Sequence, residues 1–92
     1  MGKVECCALE GYELLFYAND HLPAHVHVRR SWKWEIRVYL QETTEEHLEF
    51  SIKWPKDSKM PSGREKRTIR TLIARHKVAL LAEWERRVDA DR

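Results

Sequence analysis

Three of the chain's five histidines fall in one stretch, "DHLPAHVHV" over residues 20–28, at positions 21, 25 and 27. Imidazole binds metals through a ring nitrogen and changes protonation near neutral pH, so it serves equally as ligand, acid or base. Residues two apart on a strand point to the same side with Cα atoms about 6.5–7 Å apart, so His25 and His27 can share one ion. His21 can fold back from the turn before Pro23 as a third ligand, with water completing a tetrahedral zinc site. Glu35, expected across from His27 on the next strand, would orient that ring through its second nitrogen.

Two other readings of the same stretch stay open. As acid and base of a ribonuclease-like phosphodiesterase, with Arg37 or Lys33 steadying the phosphate, His25 and His27 need neither a metal nor a nucleophilic side chain. Alternatively, Asp20, His21 and Pro23 are turn chemistry, and the strand histidines only fill solvent-facing polar positions. No nucleophile accompanies the cluster, since Ser31 and Ser51 have no specified partner. The catalytic candidates are His25, His27, Glu35 and Arg37. The metal candidates are His21, His25 and His27, with a divalent transition metal such as zinc as the one cofactor the spacing suggests, though nothing demands it.

A second chemical feature lies further on. The net charge is only +2, but residues 53–77, "KWPKDSKMPSGREKRTIRTLIARHK", hold nine basic against two acidic residues, while residues 1–52 hold five against nine. Arg64, Lys66 and Arg67 fall in the first turn of an expected helix, where positive charge meets the positive end of the helix dipole at a cost of up to about 1 kcal/mol each. Free N–H groups beside such cations suit phosphate or carboxylate. Arg70, Arg75 and Lys77 extend the charge, so these six residues are the candidates for binding nucleic acid or an acidic partner protein. The alternative is a solubilising face. A pI of about 8.6 falls short of a strongly basic nucleic-acid footprint.

These side chains need elements to hold them. A period of two dominates residues 12–54. In "WKWEIRVYL", Trp32, Trp34, Ile36, Val38 and Leu40 share one side of a strand; in "HLEFSIKW", Leu48, Phe50, Ile52 and Trp54 do. "AHVHVRR" sets Val26 and Val28 against His25 and His27, and "YELLFYA" is a fourth strand. Short connections favour antiparallel hairpins. Pairing Val28 with Trp34 and Val26 with Ile36, around a loop centred on Ser31, keeps apolar residues together and sets His27 opposite Glu35 and His25 opposite Arg37. A slip of two residues preserves those faces, whereas a slip of one exposes the tryptophans.

After Trp54 the strand pattern stops. Ser62 and Glu65 form a Ser-x-x-Glu capping box, and Ile69, Leu72, Ile73, His76, Leu80, Trp84 and Val88 recur at helical spacing. One helix over about 63–88 is the simplest expectation, with His76 as the place for a break and itself expected to be buried and hydrogen-bonded. The expected fold is α+β: an antiparallel meander of three or four strands (about 12–54) covered on one face by a C-terminal amphipathic helix, in a single domain 1–92 with frayed ends. The uncovered face would carry the histidines.

Composition bounds the rest. Ninety-two residues, 42% hydrophobic and 35% charged, suit one globular core. No apolar run approaches a membrane span, and the first residues lack a secretory signal's apolar stretch, so a cytoplasmic protein without a membrane partner is expected. Adjacent Cys6 and Cys7 are expected to be ordinary reduced thiols.

With those residues in view, the chain resembles a family of small prokaryotic proteins catalogued as domain of unknown function 4160. The resemblance covers roughly residues 12–88: "FYAND", then "HLPAHVHV" as the family's His-x-Pro-x-His-x-His signature, a strand like "WEIRVYL", and "RHKVALLAEWERRV". His21, Pro23, His25, His27, His76 and Trp84 match the pattern; Ala24 stands where the usual form has a second proline. The resemblance implies no activity, and association of its members with toxin–antitoxin-like gene neighbourhoods. The leading expectation is therefore a non-enzymatic binding module of toxin–antitoxin type, engaging a partner protein or nucleic acid, with homodimerisation as a further option. The alternative is a metal-dependent or histidine acid–base phosphodiesterase.

Overall fold

The period-two segments become an antiparallel sheet, and the capping-box segment two consecutive helices, in the computed structural model, which describes residues 2–30, 33–54 and 61–88. The strands are β1 (Gly2–Lys3), β2 (Glu13–Phe16), β3 (His25–Arg30), β4 (Trp34–Tyr39) and β5 (Phe50–Trp54), followed by α1 (Gly63–Arg75) and α2 (Lys77–Arg87). The sheet is a five-stranded meander, β1-β2-β3-β4-β5, with each strand antiparallel to the next. The strand beyond the expected three or four is β1, a two-residue edge paired through Gly2↔Phe16 and Lys3↔Leu15. It falls below the length at which periodicity is readable.

Between β3 and β4 the observed register is Val26↔Val38 and Val28↔Ile36, so His27 lies opposite Arg37, His25 opposite Tyr39, and Glu35 opposite Arg29. This is the slip of two residues that leaves the faces intact, so face matching cannot distinguish it from the expected pairing. Ser31 and Trp32 lie outside the described residues.

One face builds the core. Leu14, Phe16, Val26, Val28, Trp34, Ile36, Val38 and Leu40 are buried in one cluster with Ile69, Ile73, Leu80, Trp84 and Val88 of the C-terminal region. Trp54, expected to point inward, is instead exposed. An irregularity in the β4–β5 ladder pairs Ile52 with Ile36 but Trp54 with Glu35, so alternation breaks and Trp54 leaves the core face.

The capping box forms as its residues require: Glu65 N–H donates to Ser62 Oγ (3.1 Å) and Ser62 N–H to Glu65 Oε1 (2.9 Å). At His76 the backbone leaves helical angles (φ −109°, ψ 18°), and the expected single helix becomes α1 and α2. Hydrogen bonds still bridge the break, from His76 N–H to Leu72 O (3.1 Å) and from Leu80 N–H to His76 O (2.8 Å). His76 is only half-buried, less enclosed than expected. Among the described residues, no helix is long and apolar enough to cross a membrane.

The N-terminal segment is fastened by a buried acid. Glu83 of α2 accepts N–H bonds from Glu5 (2.8 Å) and Cys6 (3.0 Å) and pairs with Arg87 (2.6 Å), which also donates to Lys3 O. Burial pushes the Glu83 carboxyl up, but the Glu5 N–H, the Arg87 guanidinium and the Cys6 N–H outweigh it and hold it below its ordinary value of 4.5. A folded-state pKa so depressed contributes stability above that ordinary value, and the contribution is lost as pH falls through the folded one. Glu83→Ala is expected to cost about 3 kcal/mol in urea denaturation near neutral pH. The deficit should shrink below about pH 4; an equal loss at both pH values would assign the effect to packing instead of charge. The neighbouring Cys6 thiol is pushed up to about 12 by burial, Cys7 and Glu83, so it is a thiol and not a reactive thiolate.

Candidate functional site

The turn between β2 and β3 is built by Asp20. Its N–H donates to Tyr17 O (3.0 Å) while its Oδ2 accepts the Tyr17 N–H (3.0 Å), closing residues 17–20 with both backbone groups satisfied. That closure swings Oδ1 over the start of β3. There it stands 3.0 Å from His27 Nε2 and 3.4 Å from His25 Nε2. Alternation along β3 puts both rings on the side of the sheet away from Val26 and Val28, with ring centroids 5.0 Å apart.

The two imidazoles are anchored differently. His25 Nδ1 lies 2.8 Å from the Pro23 carbonyl, which can only accept, so this nitrogen carries the proton and Nε2 faces Asp20. His27 sits between two carboxylates: Nε2 on Asp20, and Nδ1 3.2 Å from Glu35 Oε2. The second approach lacks hydrogen-bond direction, and Nδ1 is buried without a hydrogen-bond partner. Glu35 Oε2 also receives the Tyr17 hydroxyl (2.9 Å) and the Lys53 ammonium (3.2 Å). Burial, the Glu35 hydrogen bond and the Glu35 charge push the Tyr17 phenol up to about 12, so it acts as a donor. Burial also pushes Asp20 up, but the two facing imidazoles and the Tyr17 N–H prevail and hold its carboxyl well below the usual range.

The histidine face, open in the expected fold, is therefore largely closed. Asp20, His25, His27 and Glu35 are all buried. The Tyr17 ring stacks edge-on against His27 at 4.1 Å, Lys53 lies over the Tyr17 ring at 4.2 Å, and Trp84 of α2 reaches His25 at 5.3 Å. Access remains through a cavity of about 460 Å³ whose lining includes Asp20, His25, His27, Arg37, Tyr39 and Lys53. Arg37 Nη1 and the Tyr39 hydroxyl both meet Ser51 Oγ, at 3.4 and 2.8 Å.

Of the expected metal candidates, His25 and His27 converge. His21 lines the cavity but is exposed, and the third group beside the pair is Asp20, not His21. The expected catalytic candidates His25, His27, Glu35 and Arg37 all lie on this face, though Glu35 reaches His27 diagonally and not as its direct cross-strand neighbour. Lys53, on the polar side of β5 by alternation, joins them, while Tyr17 and the Asp20 carboxylate are additions that periodicity does not single out. Tyr17 has the parity of Leu15, which pairs with His27, and that was the available signal.

The basic candidates do not form one patch. Arg64, Arg67 and Arg75 are exposed, whereas Arg70 Nε donates to Glu45 O (2.9 Å), Lys77 Nζ to Gln41 O (3.3 Å), and Lys66 lies over the Phe50 ring. Helical angles explain the split: positions 66, 70 and 77 flank the buried side and 64, 67 and 75 the opposite one. The capping box also occupies the Glu65 N–H that an anion at this helix end would use.

A family model matches residues 11–85, and its description is Domain of unknown function (DUF4160). The chain belongs to this family. No curated protein and no solved structure matches it. The DUF4160 span takes in every residue of the cavity and the α2 tryptophan behind His25, whereas Glu5 and Cys6, the anchor points for Glu83, precede it.

Proposed function

We propose that this DUF4160 protein is a hydrolase acting on phosphodiesters, with Asp20, His25 and His27 as its reacting centre. One observation carries the reading: a single carboxylate oxygen faces two buried imidazole nitrogens, at 3.0 and 3.4 Å, at the base of a cavity that Arg37 and Lys53 also line. The imidazoles exchange protons with the attacking and leaving oxygens, Asp20 and Glu35 orient them, and the two cations stabilise the charge that develops on phosphoryl oxygens. The C-terminal helices pack against the opposite face of the sheet, so the cavity is the way in to the two imidazoles.

Turnover of bis(p-nitrophenyl) phosphate, a cyclic nucleotide and a short RNA measures the activity. His27→Gln is expected to lower the rate on whichever substrate is cleaved by about 10²-fold or more. Turnover of none of the three, or the same rate in the variant, would overturn the proposal.

The exposed row of Arg64, Arg67 and Arg75 favours a second reading, the toxin–antitoxin-type binding module for nucleic acid or an acidic partner protein. Reversing all three to Glu should weaken RNA binding by at least about tenfold at low salt, with the wild-type affinity falling steeply as salt is raised. Equal affinity in wild type and variant would remove this reading.

A further inference from the structure

We infer that Asp20 Oδ1, His25 Nε2 and His27 Nε2 are the three protein ligands of a divalent first-row transition metal, of which zinc is the simplest. The inference deepens the hydrolytic reading and rests on it for the ion's role. With Nε2 on the ion the two imidazoles would hold it and no longer exchange protons themselves, and the ion would polarise water or a phosphoryl oxygen. The ligand set stands on its own geometry.

The first argument is a count of protons. His25 has committed Nδ1–H to the Pro23 carbonyl, so in the neutral ring its Nε2 is a bare lone pair, aimed at a carboxylate oxygen 3.4 Å away. For His27, either neutral tautomer leaves one lone pair against a carboxylate, Asp20 at 3.0 Å or Glu35 at 3.2 Å. Acceptors facing acceptors in a buried site are costly unless positive charge lies among them. A metal ion supplies it while both rings stay neutral. The ion lets His27 carry its proton on Nδ1, a buried ring nitrogen with no hydrogen-bond partner that lies 3.2 Å from Glu35 Oε2.

The second argument is spacing. Ligands held about 2.0–2.1 Å from a tetrahedral centre stand roughly 3.3 Å apart. The two nitrogen–oxygen separations are 3.0 and 3.4 Å, and the three ligand atoms all lie within 4.8 Å of one another. The third argument is the outer shell. A ligating histidine characteristically gives its other N–H to a backbone carbonyl or a carboxylate. His25 has the Pro23 carbonyl, and for His27 the Glu35 carboxylate, held by Tyr17 and Lys53, stands 3.2 Å from Nδ1, where a small turn of the ring would close the bond. Two nitrogens and one oxygen suit zinc, cobalt(II) or iron(II) better than magnesium or calcium. The cavity in front leaves room for water or a phosphoryl oxygen as a further ligand.

The test titrates zinc and cobalt(II) into the full chain after dialysis against chelator, with calorimetry for both and the visible spectrum for cobalt. The expected result is one equivalent bound with a Kd of roughly micromolar or lower, and cobalt bands of a low-coordinate nitrogen–oxygen site. His27→Gln and Asp20→Asn should abolish stoichiometric binding, Glu35→Gln should weaken it about 10–100-fold, and His21→Ala should leave it unchanged. Folding of each variant is followed by near-UV circular dichroism. The wild-type titration decides even if a variant fails to fold, because a folded wild type that takes up neither ion overturns the inference. So does binding that survives His27→Gln or disappears with His21→Ala. Metal uptake without turnover would remove only the hydrolytic reading, and turnover without uptake only the metal.

Discussion

Asp20→Ala is expected to destabilise the protein by about 3 kcal/mol and to eliminate turnover, whereas Asp20→Asn should eliminate turnover at a stability cost of about 1 kcal/mol or less. The difference follows from the two oxygens of one side chain. Oδ2 accepts the Tyr17 N–H and closes the 17–20 turn, a role the amide oxygen of asparagine performs equally well. Oδ1 faces both imidazoles, and there the asparagine NH₂ turns a negative acceptor into a neutral donor. Alanine removes both functions and leaves the Tyr17 N–H and two buried imidazoles without their partner. Urea denaturation of both variants beside phosphodiester turnover separates the roles. A similar stability loss in both would mean that charge on Oδ1, and not the turn, holds the loop.

The same residue marks where sequence reasoning stops. Period two suffices to put His25 and His27 on one side of β3 and Val26 and Val28 on the other, and the sheet obeys it. Spacing likewise locates the helical region, its capping box and the place of its break. The register between β3 and β4 is not legible to better than two residues, because both pairings bury the same side chains. The outward turn of Trp54 depends on a ladder irregularity with no compositional signal. The closure of the histidine face depends on a turn: "YANDHLP" reads as turn chemistry, and it is that, but the turn also delivers a carboxylate seven positions before His27. Alternation describes neighbours along one strand and says nothing of what a loop folds over it, so His21 looked like the third ligand and Asp20 did not. Glu35 and Arg37 were legible as members of the polar face from parity alone. Lys53 is legible in the same way, by its alternation with Ile52, although its contact with Glu35 comes from the irregular end of β5.

Trp84→Ala is expected to cost about 3–5 kcal/mol, the largest effect of any single substitution proposed for this chain. Trp84 is 2% exposed and stands where α2, β2 and the start of β3 meet, edge-on to Phe16 at 6.1 Å and against His25 at 5.3 Å. Alanine leaves a void that the sheet cannot fill, because Phe16 is held in the β1–β2 ladder and Val26 in the β3–β4 ladder. It also removes the surface that holds the His25 ring, so turnover and metal uptake should fall together in whatever fraction remains folded. Trp84→Phe separates the two roles. Trp84 Nε1 is buried with no hydrogen-bond partner, a polar group whose removal offsets part of the lost packing. The phenyl ring keeps an aromatic contact to Phe16, so a cost of about 1–2 kcal/mol is expected. If turnover in Trp84→Phe falls while the urea midpoint barely moves, the indole is a positioning residue for His25 as well as core. Should turnover instead track stability in both variants, its contribution to the site is packing alone.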